Sequence, residues 1–321
     1  MISRHSLIPV LAGIVFSLAT PPAGAQEVNF SGQWAPIYHE DGQERLPGPT
    51  VGDYMGLPLN EAARLRADSY DADRISSVHE YQCRQEPPDY ALRGNAAMRI
   101  TADLDPLTQR IAAFHTRQGF NDAERTIYLD GRPHPPATAP HSWPGFSTGV
   151  WEGNMLIITT THLKAFVHRR NGVPSSDTRT LTERWVRHGN FWTAISTTVD
   201  PVFLTEPLVR SQSWAIDPAG GPMGTVWCIG APEIVLEAGA VPNWLPGANP
   251  YLKEASEMYG VPYEASRGGA NTLYPEYRET FKQTWSALDR CTKYCTCMNV
   301  GNGCPFTAPP TPPRPAAPAR E

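Results

Sequence analysis

The chain has 321 residues, of which 18% are charged, and its formal net charge is −5. This length suffices for one large domain or two smaller ones, and the slight net acidity implies no basic surface of the kind that binds nucleic acid. The 33 prolines indicate long irregular connections rather than continuous helical packing.

The first 25 residues have the pattern of a secretory signal peptide. Arg4 supplies the positive end, Leu7 to Leu18 is a short apolar core, and Ala23-Gly24-Ala25 fits a small-residue cleavage site. The apolar run is too short to cross a membrane comfortably. We therefore expect a mature chain that starts at Gln26, is periplasmic or secreted, and has no integral membrane segment.

The first part of the mature chain is mostly irregular, with one predicted strand and one predicted helix. Asn29 to Pro36 is typical of a strand with an aromatic anchor. Asn60 is a suitable N-cap, and the alanine-rich run that begins at Glu61 predicts a short helix.

From Met98 onward the sequence predicts antiparallel strands. Met98 to Asp103 and Arg110 to Thr116 predict a hairpin, and Arg125 to Leu129 predicts a further strand. A long alternating region follows, from His141 to Asp217. Its pattern is that of half-buried strands in an antiparallel sheet.

Two hairpin turns divide this alternating region. They are marked by Gly153-Asn154 and Gly189-Asn190, and both residue types tolerate the positive φ that two-residue turns require. Between Phe191 and Val199, odd-numbered and even-numbered residues fall on opposite faces of one strand. Gly224 to Ile229 is the last candidate strand, and we expect roughly eight to ten strands in all.

We expect one β-rich domain over residues 26–290, formed as a calycin-like antiparallel barrel or a strongly curved two-layer sheet. Asn249 to Tyr259 and Pro275 to Arg290 predict peripheral helices. Residues 291–304 form a cysteine-rich segment, and residues 305–321 are a proline- and alanine-rich tail that we expect to be disordered.

Six cysteines in an exported chain favour disulfides. They allow many pairings, of which we prefer one long-range bridge between Cys83 and Cys228 and two local bridges in the C-terminal cluster. A metal-binding set of thiolates is the less favoured alternative. The cluster consists of Cys291, Cys295, Cys297 and Cys304.

Five short motifs stand out within residues 128–207. They are YLDGRPH at 128–134, GVWEG at 149–153, TTHL at 160–163, LTERW at 181–185 and DPVFLTEP at 200–207. As a set they resemble a largely uncharacterised family of exported bacterial proteins. The resemblance implies a secreted β-rich domain, and it assigns no catalytic residues.

Three histidines are the candidates for catalysis. They are His134, His141 and His162, and imidazole is the side chain that needs no large pKa shift to act near neutral pH. With a nearby carboxylate, Asp130 or Glu183, they could move protons if the fold brings them within hydrogen-bond reach. They could also bind zinc or copper, but their spacing matches no compact metal motif. Surface or hydrogen-bonded histidines are therefore favoured, and we expect neither a metal nor a cofactor.

Aromatic and basic residues of the same region are candidates for ligand contacts. Glu183, Trp185 and Arg187 share one face of a strand. An inward face would form a polar, aromatic cavity, and an outward face, the more common arrangement, would be a solvated ion-pair surface. Trp151 is a further candidate, and Arg170 lies in a basic loop that could contact a carboxylate or phosphate.

Three classes of function fit these features. The favoured one is an exported protein that binds a small apolar or aromatic molecule in a barrel cavity. The second is an exported enzyme of hydrolase, lyase or isomerase type that uses the three histidines with Glu183, or with a bound metal. The third, a structural envelope protein, is supported only by the proline-rich tail. Convergence of the histidines with a carboxylate in one pocket would favour the enzyme, and a fully packed barrel would favour the structural role.

Overall fold

The computed structural model describes residues 27–37, 49–71, 82–93, 96–119, 123–220, 223 and 237–281. The predicted signal peptide, the C-terminal cysteine cluster, the tail and the strand at Gly224 to Ile229 lie outside these ranges. The bridge between Cys83 and Cys228 also stays a prediction, because Cys228 lies outside them.

The strands confirm the predicted fold class. The described residues form eleven strands: β1 (Gly32–Pro36), β2 (Met98–Leu104), β3 (Ile111–Gln118), β4 (Ala123–Tyr128), β5 (Phe146–Glu152), β6 (Met155–Thr161), β7 (Phe166–Val167), β8 (Pro174–Ser175), β9 (Thr180–His188), β10 (Phe191–Val199) and β11 (Leu208–Ile216). Nine of them close into a mainly antiparallel barrel in the order β1-β11-β10-β9-β6-β5-β4-β3-β2, and β7 pairs with β8 alone.

The helices are short and lie at the periphery. They are α1 (Glu61–Asp68), α2 (Pro88–Ala91), α3 (Glu254–Tyr259), α4 (Tyr263–Ser266), a 3-10 helix (Ala270–Leu273) and α5 (Pro275–Glu279). In the part of the chain that the structure describes, no helix is long and apolar enough to span a membrane.

One predicted helix start is confirmed and the other is wrong. Asn60 caps α1 as predicted, since its Oδ1 accepts from the backbone N–H of Ala63 at 2.9 Å. The helix predicted from Asn249 begins only at Glu254. The Asn249 side chain instead holds a turn, because its amide donates to the carbonyl of Asp68 and its oxygen accepts from the N–H of Tyr251.

Both predicted hairpin turns are present. Gly153 joins β5 to β6 with φ 61°, and Gly189 joins β9 to β10 with φ 64°. These left-handed conformations suit glycine, which has no side chain to collide with the backbone. The turns therefore set the register of the long hairpins that form most of the barrel wall.

One strand pair departs from the antiparallel pattern. β4 and β5 run parallel, and they pair only at Ile127 with Ser147 and Tyr128 with Thr148. The proline-rich connection between them, residues 129–145, crosses back before β5 begins instead of turning directly. Residues 123–126 of β4 have no strand partner on this side within the described ranges. We call this break in the wall the side gap.

Aromatic side chains fill one end of the barrel, which we call the aromatic end. Trp192 and Trp214 stack with their ring centroids 4.3 Å apart, and Trp185 lies 4.6 Å from Trp192. Phe30 packs its ring edge-on to Trp185 at 5.5 Å. Burial of these large rings makes the aromatic end the main hydrophobic core. Its fully buried aromatic members are Phe30, Trp34, Phe114, Trp185, Trp192 and Trp214.

Segments from outside the barrel cover its other end, which we call the polar end. α2 and Leu92 lie across this end, where Gln118 Nε2 on β3 donates to the carbonyl of Ala91 at 2.8 Å. Beside them α1 packs into a second hydrophobic cluster with Leu57 and with Leu208 of β11.

Candidate functional site

The barrel interior changes from apolar to polar along its length. On β10 the inward residues are Trp192, Ala194, Ser196 and Thr198, in order from the aromatic end to the polar end. Arg210 on β11 pairs with Ser196, so its side chain also enters the polar half. The alternation of each strand therefore places hydrogen-bonding groups at one end of the barrel.

A cavity of about 300 Å³ lies at the polar end between β10, β11 and the covering segments. We call it the arginine cavity. Gly56, Leu57 and Leu92 contribute to its lining. Its polar lining residues include Asp89, Arg93, Arg169, Ser196, Arg210 and Gln212.

The arginines are fixed by contacts with their surroundings. Arg93 Nε donates to the carbonyl of Tyr90 at 3.1 Å, and its guanidinium lies 3.6 Å from the centre of the Tyr90 ring. Arg169 Nη1 donates to the carbonyl of Asp53 at 3.3 Å. The backbone of Arg210 is held in the ladder between β10 and β11. Three separate parts of the chain thus direct guanidinium groups to one cavity.

The lining residues carry more positive than negative charge. Asp89 is the carboxylate among the described residues of the lining, and it accepts from Arg179 Nε at 2.7 Å and Arg179 Nη2 at 3.1 Å. Burial alone would raise the pKa of Asp89, but Arg179 holds it below its usual range. With three arginines and one carboxylate, the described lining residues favour an anion over a cation.

A buried histidine–aspartate pair lies near this cavity. His168 Nε2 is 3.4 Å from Asp200 Oδ2, and Asp200 accepts from both the backbone N–H and the hydroxyl of Ser176 at 2.7 Å. Burial lowers the pKa of His168 by more than the nearby carboxylates raise it. Burial alone would raise the pKa of Asp200, but the nearby His168 and the two hydrogen bonds from Ser176 hold it well below its usual range. The lowered pKa favours the neutral form of His168 at pH 7.

Two further cavities lie along the side gap. An outer groove of about 500 Å³, which we call the side groove, is lined by the outer faces of β2, β3 and β4 and by Phe146. A wall cavity of about 20 Å³ lies beneath it. Thr116, Glu124, Arg125 and Pro144 line both of them. Leu92 lines the wall cavity and the arginine cavity.

Glu183 points into the barrel, beside this gap. Both of its oxygens accept from Arg125, at 2.6 and 2.7 Å, and Oε2 also accepts from Trp185 Nε1 at 2.9 Å. The Glu183 side chain is 0% exposed and that of Arg125 is 7% exposed. The strand face that the sequence favoured as a solvated surface is therefore an inward face, because Trp185 belongs to the core and Arg125 compensates the buried charge.

The three candidate histidines converge on the outside of the barrel. His134 Nδ1 and His162 Nδ1 each lie 2.8 Å from the hydroxyl oxygen of Thr161. The rings of His141 and His162 are 5.3 Å apart, and His141 Nδ1 lies 2.9 Å from the carbonyl of Leu163. Glu183 is on the opposite face of the wall and does not join them. No group of three or more potential metal ligands occurs within the described ranges.

The hydrogen bonds of His134 and His162 form a connected series in which the donor and the acceptor of each bond can be assigned. A carbonyl only accepts, so His162 Nε2 donates to Pro136 at 3.0 Å. A neutral His162 then accepts at Nδ1 from Thr161, whose oxygen accepts from His134 Nδ1. Thr148 donates to His134 Nε2 at 2.8 Å. Burial and then the proximity of His162 lower the pKa of His134, which favours the neutral ring.

The candidate ligand-binding residues are divided between the two ends. Trp185 is fully buried at the aromatic end, and Trp151 stacks on Phe30 with centroids 6.2 Å apart. Arg187 lies over the Trp34 ring at 5.2 Å. These contacts are internal packing.

Arg170 follows Arg169 in the loop near the polar end. The sequence identified the basic loop that contains Arg169, but it did not identify Arg93 or Arg210, although Arg210 shares the alternating face of Gln212 and Trp214. That pattern was the signal that could have identified one of them.

No family model, curated protein or solved structure matches the chain. The resemblance to a family of exported bacterial proteins therefore stays a prediction, and the geometry of the site carries the functional argument.

Proposed function

We propose that this chain is an exported binding protein that holds a small anionic molecule, such as a dicarboxylate, in the arginine cavity. The observation that carries this proposal is the presence of Arg93, Arg169 and Arg210 around one cavity whose carboxylate, Asp89, is matched to Arg179. Guanidinium groups bind carboxylates and phosphates strongly, since their planar N–H donors match two acceptor oxygens.

The shape and the remaining lining support a compact ligand. A volume of about 300 Å³ is at the small end of the range for ligand sites. Leu57, Leu92 and Leu208 supply apolar surface for a short carbon skeleton, and Ser196 and Gln212 supply further hydrogen-bonding groups.

An anion fits the barrel better than the apolar or aromatic molecule that the sequence favoured. Trp34, Trp185, Trp192 and Trp214 are fully buried against one another, so the protein's own side chains occupy the apolar half. The enzyme alternative gains no support from the histidines, because their hydrogen bonds go to hydroxyls and carbonyls and Glu183 lies inside the barrel.

Isothermal titration calorimetry with succinate tests the proposal, and succinamide, which has the same skeleton without charge, is the matched ligand control. We expect succinate to bind and succinamide not to bind. Arg210→Gln should weaken succinate binding by about tenfold or more, because a hydrogen bond to a charged group contributes about 1.5–3 kcal/mol. Arg184→Gln, on the outer face of β9, should bind as the parent does. Equal binding of the two ligands, or an unaffected Arg210→Gln variant, would refute the proposal.

A further inference from the structure

We propose that the side groove is a second ligand site, which binds an elongated aromatic anion with a flat ring at one end and a carboxylate at the other. This inference goes beyond the proposed function, because the side groove and the arginine cavity share no lining residue within the described ranges. The groove lies on the outer wall of the barrel, and its volume of about 500 Å³ is in the range of small-molecule sites.

The register of β2, β3 and β4 arranges the outward side chains of the groove in two rows across the strands. The charged row is Arg99, Arg117 and Glu124. The polar row is Thr101, His115 and Thr126. The rows are two residues apart along each strand, which is about 7 Å. Phe146 begins β5 beside the end of the polar row, because the next residue, Ser147, pairs with Ile127. The groove therefore has a charged end, a polar middle and an aromatic end.

The charged end carries more positive than negative charge. Arg99 Nη2 donates to the amide oxygen of Gln33 at 2.8 Å, and Arg99 forms no ion pair within the described parts of the chain. Arg117 Nε lies 3.3 Å from Glu124 Oε1. The third arginine of the lining, Arg125, has its ion pair inside the barrel and adds no net charge to the groove. Two arginines and one carboxylate therefore remain, which favours the carboxylate of a ligand at this end.

The aromatic end offers a surface on which a flat ring can pack. The rings of Tyr128 and Phe146 lie 5.5 Å apart with an angle of 30° between their planes. Arg132, which Asp130 holds, lies over the Tyr128 ring at 3.7 Å, and Phe146 is partly exposed. Aromatic pairs gain stabilisation beyond their buried area, so a ring suits this end better than an aliphatic chain does.

The polar middle suits a linker that can form hydrogen bonds. His115 Nε2 lies 2.6 Å from Asp103 Oδ2, and His115 Nδ1 lies 3.0 Å from the hydroxyl oxygen of Thr126. These two contacts fix the imidazole on the floor of the groove. The exposed Thr101 hydroxyl lies beside it on β2 and can donate or accept. An amide between the ring and the carboxylate of a ligand would meet these groups.

Hippurate, which joins a benzene ring to a carboxylate through an amide, is the probe for this site. Two matched ligands each lack one of its ends: hippuramide has no charge, and N-acetylglycine has no ring. We expect hippurate to bind and each of the other two to bind at least about threefold more weakly, because each loses the contacts of one end of the groove. Ligand-detected nuclear magnetic resonance titrations measure the three dissociation constants.

Variants of the groove should change hippurate binding in opposite directions. Glu124→Gln removes a repelling carboxylate and should tighten binding by about two- to fivefold, a gain that a damaged fold would not produce. Arg99→Gln should weaken binding by a similar factor, and Arg184→Gln, outside the groove, should not change it. Phe146→Leu keeps an apolar side chain but removes the ring, so it should weaken binding by about threefold or more. Phe191→Leu, at an exposed position on β10, is its matched control.

The outcomes separate this site from the arginine cavity. Tighter binding of hippurate by Glu124→Gln, with weaker binding by Arg99→Gln and unchanged binding by Arg210→Gln, supports the second site. Loss of hippurate binding in Arg210→Gln, with parent-like binding in the groove variants, would place hippurate in the arginine cavity and overturn the inference. Equal binding of hippurate and hippuramide, or no binding of hippurate, would also overturn it. Absence of succinate binding would refute the proposed function alone. If Phe146→Leu does not fold, Glu124→Gln and Arg99→Gln decide.

Discussion

Arg125 on β4 and Glu183 on β9 form a doubly hydrogen-bonded ion pair inside the barrel, with N–O distances of 2.6 and 2.7 Å. β5 and β6 lie between the two strands in the sheet, so the pair joins the two sides of the side gap from within. Trp185 adds a third hydrogen bond to the carboxylate. The junction with the fewest paired residues is therefore also held by a side-chain contact inside the barrel.

Replacement of one partner of this pair should destabilise the fold strongly. Glu183→Gln leaves the Arg125 guanidinium buried without its counter-charge, which typically costs about 3–5 kcal/mol. We expect the double variant Arg125→Met/Glu183→Met to recover most of the loss, because no buried charge remains. Urea denaturation at pH 7 measures both. A loss below about 1 kcal/mol in Glu183→Gln would mean that water solvates the pair.

The stacked tryptophans should make the aromatic end the most sensitive part of the core. Trp214→Ala removes a fully buried ring that stacks on Trp192, and such truncations cost about 3–5 kcal/mol. Trp214→Phe should cost less, since part of the ring surface stays buried. Phe191→Ala, on the outward face of β10, is the control and should change stability by less than about 0.5 kcal/mol. Denaturation midpoints with near-ultraviolet circular dichroism report stability and stacking together.

The sequence predicted those features of the fold that depend on neighbouring residues alone, such as strand faces and hairpin turns. Alternation from Phe191 to Val199 identified the inward and outward faces of β10, and the Gly-Asn turns fixed its register with β9. The inward direction of Glu183 could not be predicted, because it depends on Arg125, a residue 58 positions away. An ion pair between residues so far apart in the chain has no recognisable pattern in the sequence around either residue.

The parallel pairing of β4 and β5 also escaped prediction. It depends on the path of residues 129–145, and a proline-rich segment carries no periodic signal that fixes a path. The arginine cavity could not be predicted either, because its lining residues come from distant segments of the chain between Gly56 and Gln212. The convergence of His134, His141 and His162 was foreseen as a possibility, but only the structure shows that it occurs outside the barrel.

Thr161 should determine how firmly the segment from His134 to His141 is attached to the barrel. Thr161→Val removes the hydroxyl that joins two imidazoles and leaves partly buried nitrogen atoms without their partner, a loss of about 1–3 kcal/mol. Thr161→Ser keeps the hydroxyl and should retain the attachment. Hydrogen exchange of residues 134–141 measures the difference. Equal protection in the two variants would show that the other contacts of this segment, such as those of His134 with Thr148 and of His141 with Leu163, suffice to hold it.

His168 should make the protein less stable in mild acid. Its folded-state pKa lies below its ordinary value of about 6.5, so the unfolded chain binds a proton more readily than the folded protein does. The stabilising effect of the neutral ring is complete above pH 6.5 and decreases as the pH falls below it. His134, whose pKa is also lowered, contributes with the same sign. Asp89 and Asp200 act in a lower range, because depressed carboxyl pKa values affect stability only below about pH 4.

The free energy of unfolding measured by urea denaturation between pH 5 and 7.5 isolates this effect. For the parent we expect a decrease below about pH 6.5 with a limiting slope of about 1.4 kcal/mol per pH unit for one histidine. His168→Asn removes the titrating ring, so its slope should be smaller even though its stability at pH 7.5 is also lower. His188→Asn, at an exposed position next to a hairpin turn, should keep the parent slope. An unchanged slope in His168→Asn would show that His168 binds a proton as readily in the folded protein as in the unfolded chain. Its burial beside Arg179 and Arg210 argues against this.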